Sequence, residues 1–309
     1  MDEELHDHDR GLAFDLSTLI ARRRLFTMFA GAGLAAVIAG CSSDSKSPAT
    51  SSTASPSTLS PSTASPSTAS PSASPSATAT DDVVVATSPA AATTPAASGS
   101  ALQAIPEETA GPYPGDGSNG VNVLKESGII RGDIRASFGS SSTVAKGVPT
   151  TIKLTLVDAN GGAPLKGAAV YIWHCDASGL YSLYSQGATG ENYLRGVQAA
   201  DANGVVTFTS IYPACYAGRW PHIHYEVYPT IADATSASNR LATSQLALTK
   251  EASAAVYAGA GYPNSTQNLS QVSLATDMVF SDGAELETPT ITGSVAGGYT
   301  IAMSAAITT

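Results

Sequence analysis

Basic residues are few in this chain. Its 309 residues include 15 lysines and arginines against 25 aspartates and glutamates, a formal net charge of −10 with no basic block. Nucleic-acid binding is dominated by phosphate neutralisation, so this balance argues against such a partner. It favours no anionic membrane surface either. A long hydrophobic run is also missing. The apolar part of RRRLFTMFAGAGLAAVIAGC, residues 22–41, is about 15 residues long and carries glycines, which is short for a membrane span. Large apolar residues are almost absent from residues 42–104, where Ser, Thr, Pro and Ala recur as in SSTASPSTLSPSTASPSTAS. That segment cannot offset its ordering entropy by burial, so a disordered stalk is expected there. Histidine is scarce, with five in the chain, and cysteine scarcer, with three.

What is present divides the chain into three parts. Arg23-Arg24-Leu25-Phe26 has the form of a twin-arginine export signal. Ile38-Ala39-Gly40-Cys41 has the form of a lipoprotein signal, with Cys41 as the lipidated first residue of the mature protein. The alternative is an uncleaved N-terminal anchor. The expected organisation is a signal segment 1–41, a stalk 42–104 and one globular domain 105–309. A flexible coil of about 60 residues spans roughly 40 Å, enough to hold a domain off a membrane. The expected location is the cell surface or the exterior, with membrane attachment only through the lipid. Once Cys41 is lipidated, Cys175 and Cys215 remain as an even pair in an oxidising compartment. A disulfide between them is expected, closing a loop of about 40 residues and contributing roughly 3–4 kcal/mol. Two buried free thiols are the alternative.

Within 105–309 strand signals dominate. Thr151–Val157 alternates, with Ile152, Leu154 and Leu156 on one side and Thr151, Lys153 and Thr155 on the other. Ala168–Trp173, Val205–Thr209, His222–Tyr228, Arg240–Leu248, the residues around Ile291, and Tyr299–Met303 read as further strands, separated by Gly- and Asn-rich turns. Gly297-Gly298 marks a hairpin. The spacing predicts an all-β fold, a sandwich of mainly antiparallel strands with few short helices. Lys250–Ala258 suits one of those helices, and the irregular stretch 259–287 suits a cover over a site.

Two of the five histidines stand in GRWPHIHYEV, residues 218–227. Side chains alternate across a strand, so His222 and His224 point the same way, about 7 Å apart at Cβ, and can converge on one ion. Alone, such a pair is a weak signal. Tyr216 follows Pro213-Ala214-Cys215 in a loop entering this strand, and Tyr181 lies in a loop leaving the strand that ends at Trp173. A phenol has an ordinary pKa of about 10 and ligates at neutral pH only where a metal drives its deprotonation. Hard Fe(III) suits two phenolates and two imidazoles, whereas Zn(II) and Cu(II) have less reason to choose tyrosines. His174, beside Cys175, reads as a structural residue at a strand end. Trp173 and Trp220 read as core or pocket wall.

Taken in order, these segments resemble the intradiol ring-cleavage dioxygenases, a family of non-haem ferric enzymes. The resemblance rests on Glu108-Thr-Ala-Gly-Pro-Tyr113 and Ile130-Arg-Gly-Asp-Ile134, then on PLKGAAVYIWHCDASGLYS at 164–182. It continues through Arg195-Gly-Val-Gln198, Asp201–Gly204, Phe208, Ile211-Tyr-Pro213 and Gly218–His224. It implies one Fe(III) held by Tyr181, Tyr216, His222 and His224, with Tyr216 leaving the metal when substrate binds. It further implies Arg219 and Gln245 beside the substrate, and Pro112 and Tyr113 at the pocket wall. The implied partners are a small aromatic diol and O2, and the implied products are cis,cis-muconate-type diacids. The family's helical dimerisation region is absent and the stalk occupies its place, so quaternary structure is not carried over. Two other classes stand beside this reading. One is a non-catalytic stalked β-sandwich binding module, which has no need of the Tyr, Tyr, His, His set. The other is a zinc or copper enzyme using His174, His222 and His224.

Overall fold

The structure, a computed structural model, describes residues 101–309. The twin-arginine motif, Cys41 and residues 42–100 of the expected stalk lie outside the described residues. Among the described residues, eight strands form two sheets. They are β1 (Pro149–Asp158), β2 (Ala169–Trp173), β3 (Arg195–Ala199), β4 (Val205–Ile211), β5 (His222–Tyr228), β6 (Ala242–Ala247), β7 (Thr290–Ser294) and β8 (Gly298–Ile307). One sheet has the order β4-β1-β8-β7, the other β3-β2-β5-β6. Every neighbouring pair is antiparallel except β1 with β8, which run parallel from Thr150 opposite Tyr299 to Asp158 opposite Ile307. Two short helices, α1 (Lys250–Tyr257) and α2 (Ser265–Gln271), lie between β6 and β7 in the chain. No helix among the described residues is long and apolar enough to cross a membrane. The expected all-β sandwich is the observed architecture.

Hydrophobic alternation accounts for the layers. Ile152, Leu154 and Leu156 of β1 are fully buried and join one cluster with Phe208, Ile301 and Ala305. Burying such large apolar side chains contributes roughly 1.5–3 kcal/mol each, which fixes which face of β1 turns inward. The turn into β4 is built by Asp201, whose Oδ1 accepts from Asn203 N and Val205 N, both at 2.8 Å. Gly204 closes it at φ +77°, and a Cβ there would stand 2.3 Å from the Leu156 carbonyl oxygen. Only glycine fits that turn.

The sheet β3-β2-β5-β6 has two different faces. Val170, Ile172, Ile223, Val227 and Leu246 belong to the apolar core. The alternate residues Tyr171, Trp173, Arg195, His222, His224, Glu226 and Gln245 are equally buried yet polar or aromatic. Every residue of β5 is buried, so this second face is covered as well. Buried polar side chains must find partners, which makes this face the place to look for chemistry.

Candidate metal centre

Register sets the first part of the site. His224 of β5 lies opposite Trp173 of β2 on one side and opposite Gln245 of β6 on the other. The Trp173 indole stacks on the His224 imidazole, with ring centroids 4.9 Å apart and planes at 7°. His222, two residues earlier, shares the face. Its Nδ1 donates to the Trp220 carbonyl oxygen at 2.5 Å, which leaves the Nε2 lone pair pointing away from the strand.

Two loops bring the tyrosines. After β2, Asp176 Oδ1 accepts from Ser178 N (2.8 Å) and Leu180 N (3.0 Å), and Ser185 Oγ accepts from Tyr181 N (2.9 Å). Gly179, at φ +86°, lets the loop pass Tyr216 closely: a Cβ there would lie 3.3 Å from Tyr216 Cβ. The loop before β5 is docked by Ala214 N donating to the Asp176 carbonyl (3.2 Å) and Cys215 N to Ser265 Oγ (3.2 Å). Asn268 Nδ2 also donates to the Cys215 carbonyl (2.8 Å).

These elements converge on one point. His222 Nε2 lies 3.4 Å from Tyr181 Oη, 3.2 Å from Tyr216 Oη and 3.1 Å from His224 Nε2. One imidazole lone pair cannot satisfy three such neighbours. A shared cation can, since ligands held at roughly 2.1 Å and about 90–110° apart lie about 3.0–3.4 Å from one another. Burial, with the Arg219 charge nearby, holds the His222 imidazole well below the usual histidine range. Burial, and then the neighbouring His222 ring and the Arg219 charge, does the same to His224. Both rings are therefore neutral donors. Burial, reinforced by Tyr216, pushes the Tyr181 phenol well above its ordinary value, so a phenolate there needs a strong cation. Among the described residues no three His, Cys, Asp or Glu side chains gather to hold a metal, so phenols must complete any donor set here. The donors present fit a hard, highly charged ion such as Fe(III).

The structure places the other expected residues as follows. Arg219 is buried; its Nε donates to Asp277 Oδ2 (3.0 Å) and its Nη2 to Gln245 Oε1 (2.8 Å). Gln245 Nε2 in turn donates to the Thr109 carbonyl (2.9 Å). The Tyr113 ring lies 4.9 Å from that of Tyr181. The Pro112 carbonyl accepts from Asn119 Nδ2 (2.8 Å). His174 spends both ring nitrogens elsewhere, on the Cys175 carbonyl and on Ser210 Oγ, each at 2.7 Å, so it does not join the other two histidines. Asp277 is a further residue here, in the stretch 259–287 where no motif marks it. Its Oδ2 also accepts from Trp220 N (2.6 Å), and its Oδ1 from Val279 N (2.9 Å). Glu108, close to the Arg219–Asp277 pair, has its carboxyl raised to about 7, first by burial and then by Asp282.

The expected disulfide is corrected. Cys175 and Cys215 are buried free thiols. Cys175 Sγ donates to the Ala214 carbonyl (3.6 Å) and Cys215 Sγ to the Arg219 carbonyl (3.5 Å). Burial pushes both thiols up, Cys215 to about 12, which keeps them protonated and donating. The two loops are held together by the hydrogen bonds named above rather than by a covalent staple.

Comparison with known proteins agrees with this architecture. A family model described as dioxygenase matches residues 136–238, a span that includes Tyr181, Tyr216, Arg219, His222 and His224 and stops before Gln245 and Asp277. An intradiol ring-cleavage dioxygenase from Tetranychus urticae superposes with a TM-score of 0.54 at 26% identity, covering 67% of this chain and 95% of that one. The dioxygenase domain of a carbohydrate-binding fusion protein from Streptomyces sp. SirexAA-E gives 0.42 at 21%, covering 67% and 99%. Catechol 1,2-dioxygenase from Pseudomonas arvilla C-1 gives 0.40 at 18%, covering 66% and 62%. No curated protein matches the sequence. The chain is similar to the intradiol ring-cleavage dioxygenases, as the order of its motifs implied.

Proposed function

We propose that this protein is a ring-cleaving dioxygenase that opens small aromatic diols between their hydroxyls with O2, using one non-haem Fe(III). The observation that carries the reading is the convergence of Tyr181 Oη, Tyr216 Oη and His224 Nε2 within 3.4 Å of His222 Nε2. A binding module has no use for that arrangement. Tyr181, Tyr216, His222 and His224 would hold the metal. Bound Fe(III) would supply the Lewis acidity and electron exchange that open a ligated diol to O2.

The chain's own residues supply the rest. Tyr181 is 2% exposed and Tyr216 is half-buried, so Tyr216 is the ligand assigned to leave the metal when the diol binds. Its Oη is then the base that takes a proton from an incoming diol hydroxyl. Trp173 fixes the plane of His224, and the Trp220 carbonyl fixes the tautomer of His222. Arg219, held by Asp277 and Gln245, places a positive charge where negative charge grows on the diol as its protons leave. The Tyr113 ring packs beside that of Tyr181.

Isotope labelling tests the reading. Iron-loaded protein given catechol and ¹⁸O₂ should consume one O2 per diol and place both labelled atoms in a ring-opened diacid. No uptake, or an intact ring in the product, would refute it. We further propose that the enzyme works outside the cytoplasm on a lipid-anchored stalk, a reading that rests on Arg23-Arg24 and Cys41. Mass spectrometry of the mature N-terminus checks it, and an unmodified Cys41 refutes the anchor.

A further inference from the structure

Arg195 of β3 is buried, and its guanidinium gives every N–H to an uncharged oxygen. Nε donates to Ser182 Oγ (3.0 Å). Nη1 donates to the Pro114 carbonyl (2.8 Å) and to Tyr171 Oη (2.9 Å). Nη2 donates to the Tyr113 carbonyl (2.9 Å) and to the Ser182 carbonyl (2.9 Å). A guanidinium carries five N–H groups in one plane, so this fork is filled. No carboxylate is among its acceptors. Taking a cation out of water is costly, and an apolar side chain of similar volume often serves packing alone at least as well. What the planar fork adds is a fixed geometry for the groups it holds.

Those groups come from separate stretches of chain and lead to the converging side chains from two sides. Tyr113 and Pro114 lie before β1, and the Tyr113 ring is 4.9 Å from that of Tyr181. Ser182 directly follows Tyr181 in the loop after β2. One guanidinium therefore holds the backbone of Tyr113 and the backbone next to Tyr181. Tyr171 leads to the other side. Its ring stacks on Trp173 with centroids 5.0 Å apart, and Trp173 stacks on His224 at 4.9 Å. Register places Arg195 directly opposite Trp173, and Trp173 directly opposite His224. The chain is also shaped to admit the fork: Gly115 sits at φ +67°, and a Cβ there would lie 3.0 Å from Arg195 Nη1.

We infer, resting on the functional reading above, that Arg195 is a positioning residue of the metal centre, fixing Tyr181 against His224 by tying the Tyr113–Pro114 backbone, Ser182 and Tyr171 to one planar fork. It acts on Tyr181 through Ser182 and Tyr113, and on His224 through Tyr171 and Trp173. A ligand set held this way is preorganised by its supporting shell.

The test uses the iron-loaded full chain carrying Tyr216→Phe, so that Tyr181 is the phenolate ligand that remains to colour it. Arg195→Lys keeps the charge and loses the fork. It should shift the phenolate-to-iron band and release iron at least about tenfold faster on dialysis, as expected when the outer support of a ligand is lost. Ile152→Ala, a core change in the other sheet, should lower the melting temperature and leave the band and the release rate as in the parent. Ser182→Ala removes one acceptor beside Tyr181 and should change both readings in the same direction by less, and it serves if the Arg195 variant does not fold. A band and a release rate unmoved by both Arg195→Lys and Ser182→Ala would make Arg195 a purely structural residue and overturn the inference alone. So would equal changes from Ile152→Ala. Protein that takes up no iron, with Arg195 intact, would overturn the functional reading together with the inference.

Discussion

The indole of Trp173 lies flat on the imidazole of His224, centroids 4.9 Å apart. The contact follows from register, because the two residues are direct partners across β2 and β5. It gives a buried ring a fixed plane in place of a hydrogen bond, since His224 Nδ1 has no partner among the described residues. Trp173→Phe keeps an aromatic face there and should retain iron within about threefold. Trp173→Ala should lose stability by about 3–5 kcal/mol, the usual cost of emptying a large aromatic site, and should release iron at least tenfold faster on dialysis. Equal iron retention by both variants would contradict the role given to the stack.

Arg219 and Asp277 form a buried ion pair at 3.0 Å, exposed by 1% and 0% at their side chains. Arg219→Met should leave the Asp277 carboxylate without its main partner and cost about 3–5 kcal/mol. The double variant Arg219→Met, Asp277→Asn should recover much of that stability while activity stays low. Denaturant unfolding of the two single variants and the double variant checks this. Additive losses would mean that the pair is not coupled.

Glu287 is fully buried, and its carboxyl is raised to about 8, first by burial and then by Glu108. An acid whose folded value exceeds its unfolded value of 4.5 binds more protons when folded. Stability must then fall as pH rises from about 4.5 to about 8. Glu287→Gln removes that titration. The variant should be more stable than the parent at pH 8, with the difference shrinking towards pH 4.5. A stability difference that does not change with pH would contradict the assignment.

Cys175 and Cys215 should both accept an alkylating reagent when the protein is unfolded without reductant, as peptide mapping would record. A cross-linked Cys175–Cys215 peptide would contradict the free thiols of the structure.

Much of this was legible in the sequence, for identifiable reasons. The alternation in Thr151–Val157 and in His222–Tyr228 reports a strand with differing faces, and both strands stand where the pattern puts them. Strand β3, RGVQA, carries no strand signal of its own, because five residues containing a glycine give no periodicity. The parallel pairing of β1 with β8 joins segments far apart in the chain, and no local pattern encodes it. The four converging residues were legible because their order and spacing match a known series. Asp277 was not, since a lone acid in an irregular stretch looks like any solvated one until Arg219 is seen against it. The disulfide expectation failed because an even cysteine count says nothing about where each Sγ points. Here each is turned to a backbone carbonyl.

The most direct test of the central claim is the visible spectrum of the iron-loaded protein, before and after catechol is added without oxygen. Ligation by Tyr181 and Tyr216 predicts a broad phenolate-to-iron charge-transfer band that shifts to longer wavelength when the diol binds and disappears in the Tyr181→Phe, Tyr216→Phe double variant. A protein that stays colourless with iron, or whose colour survives that double substitution, would contradict it.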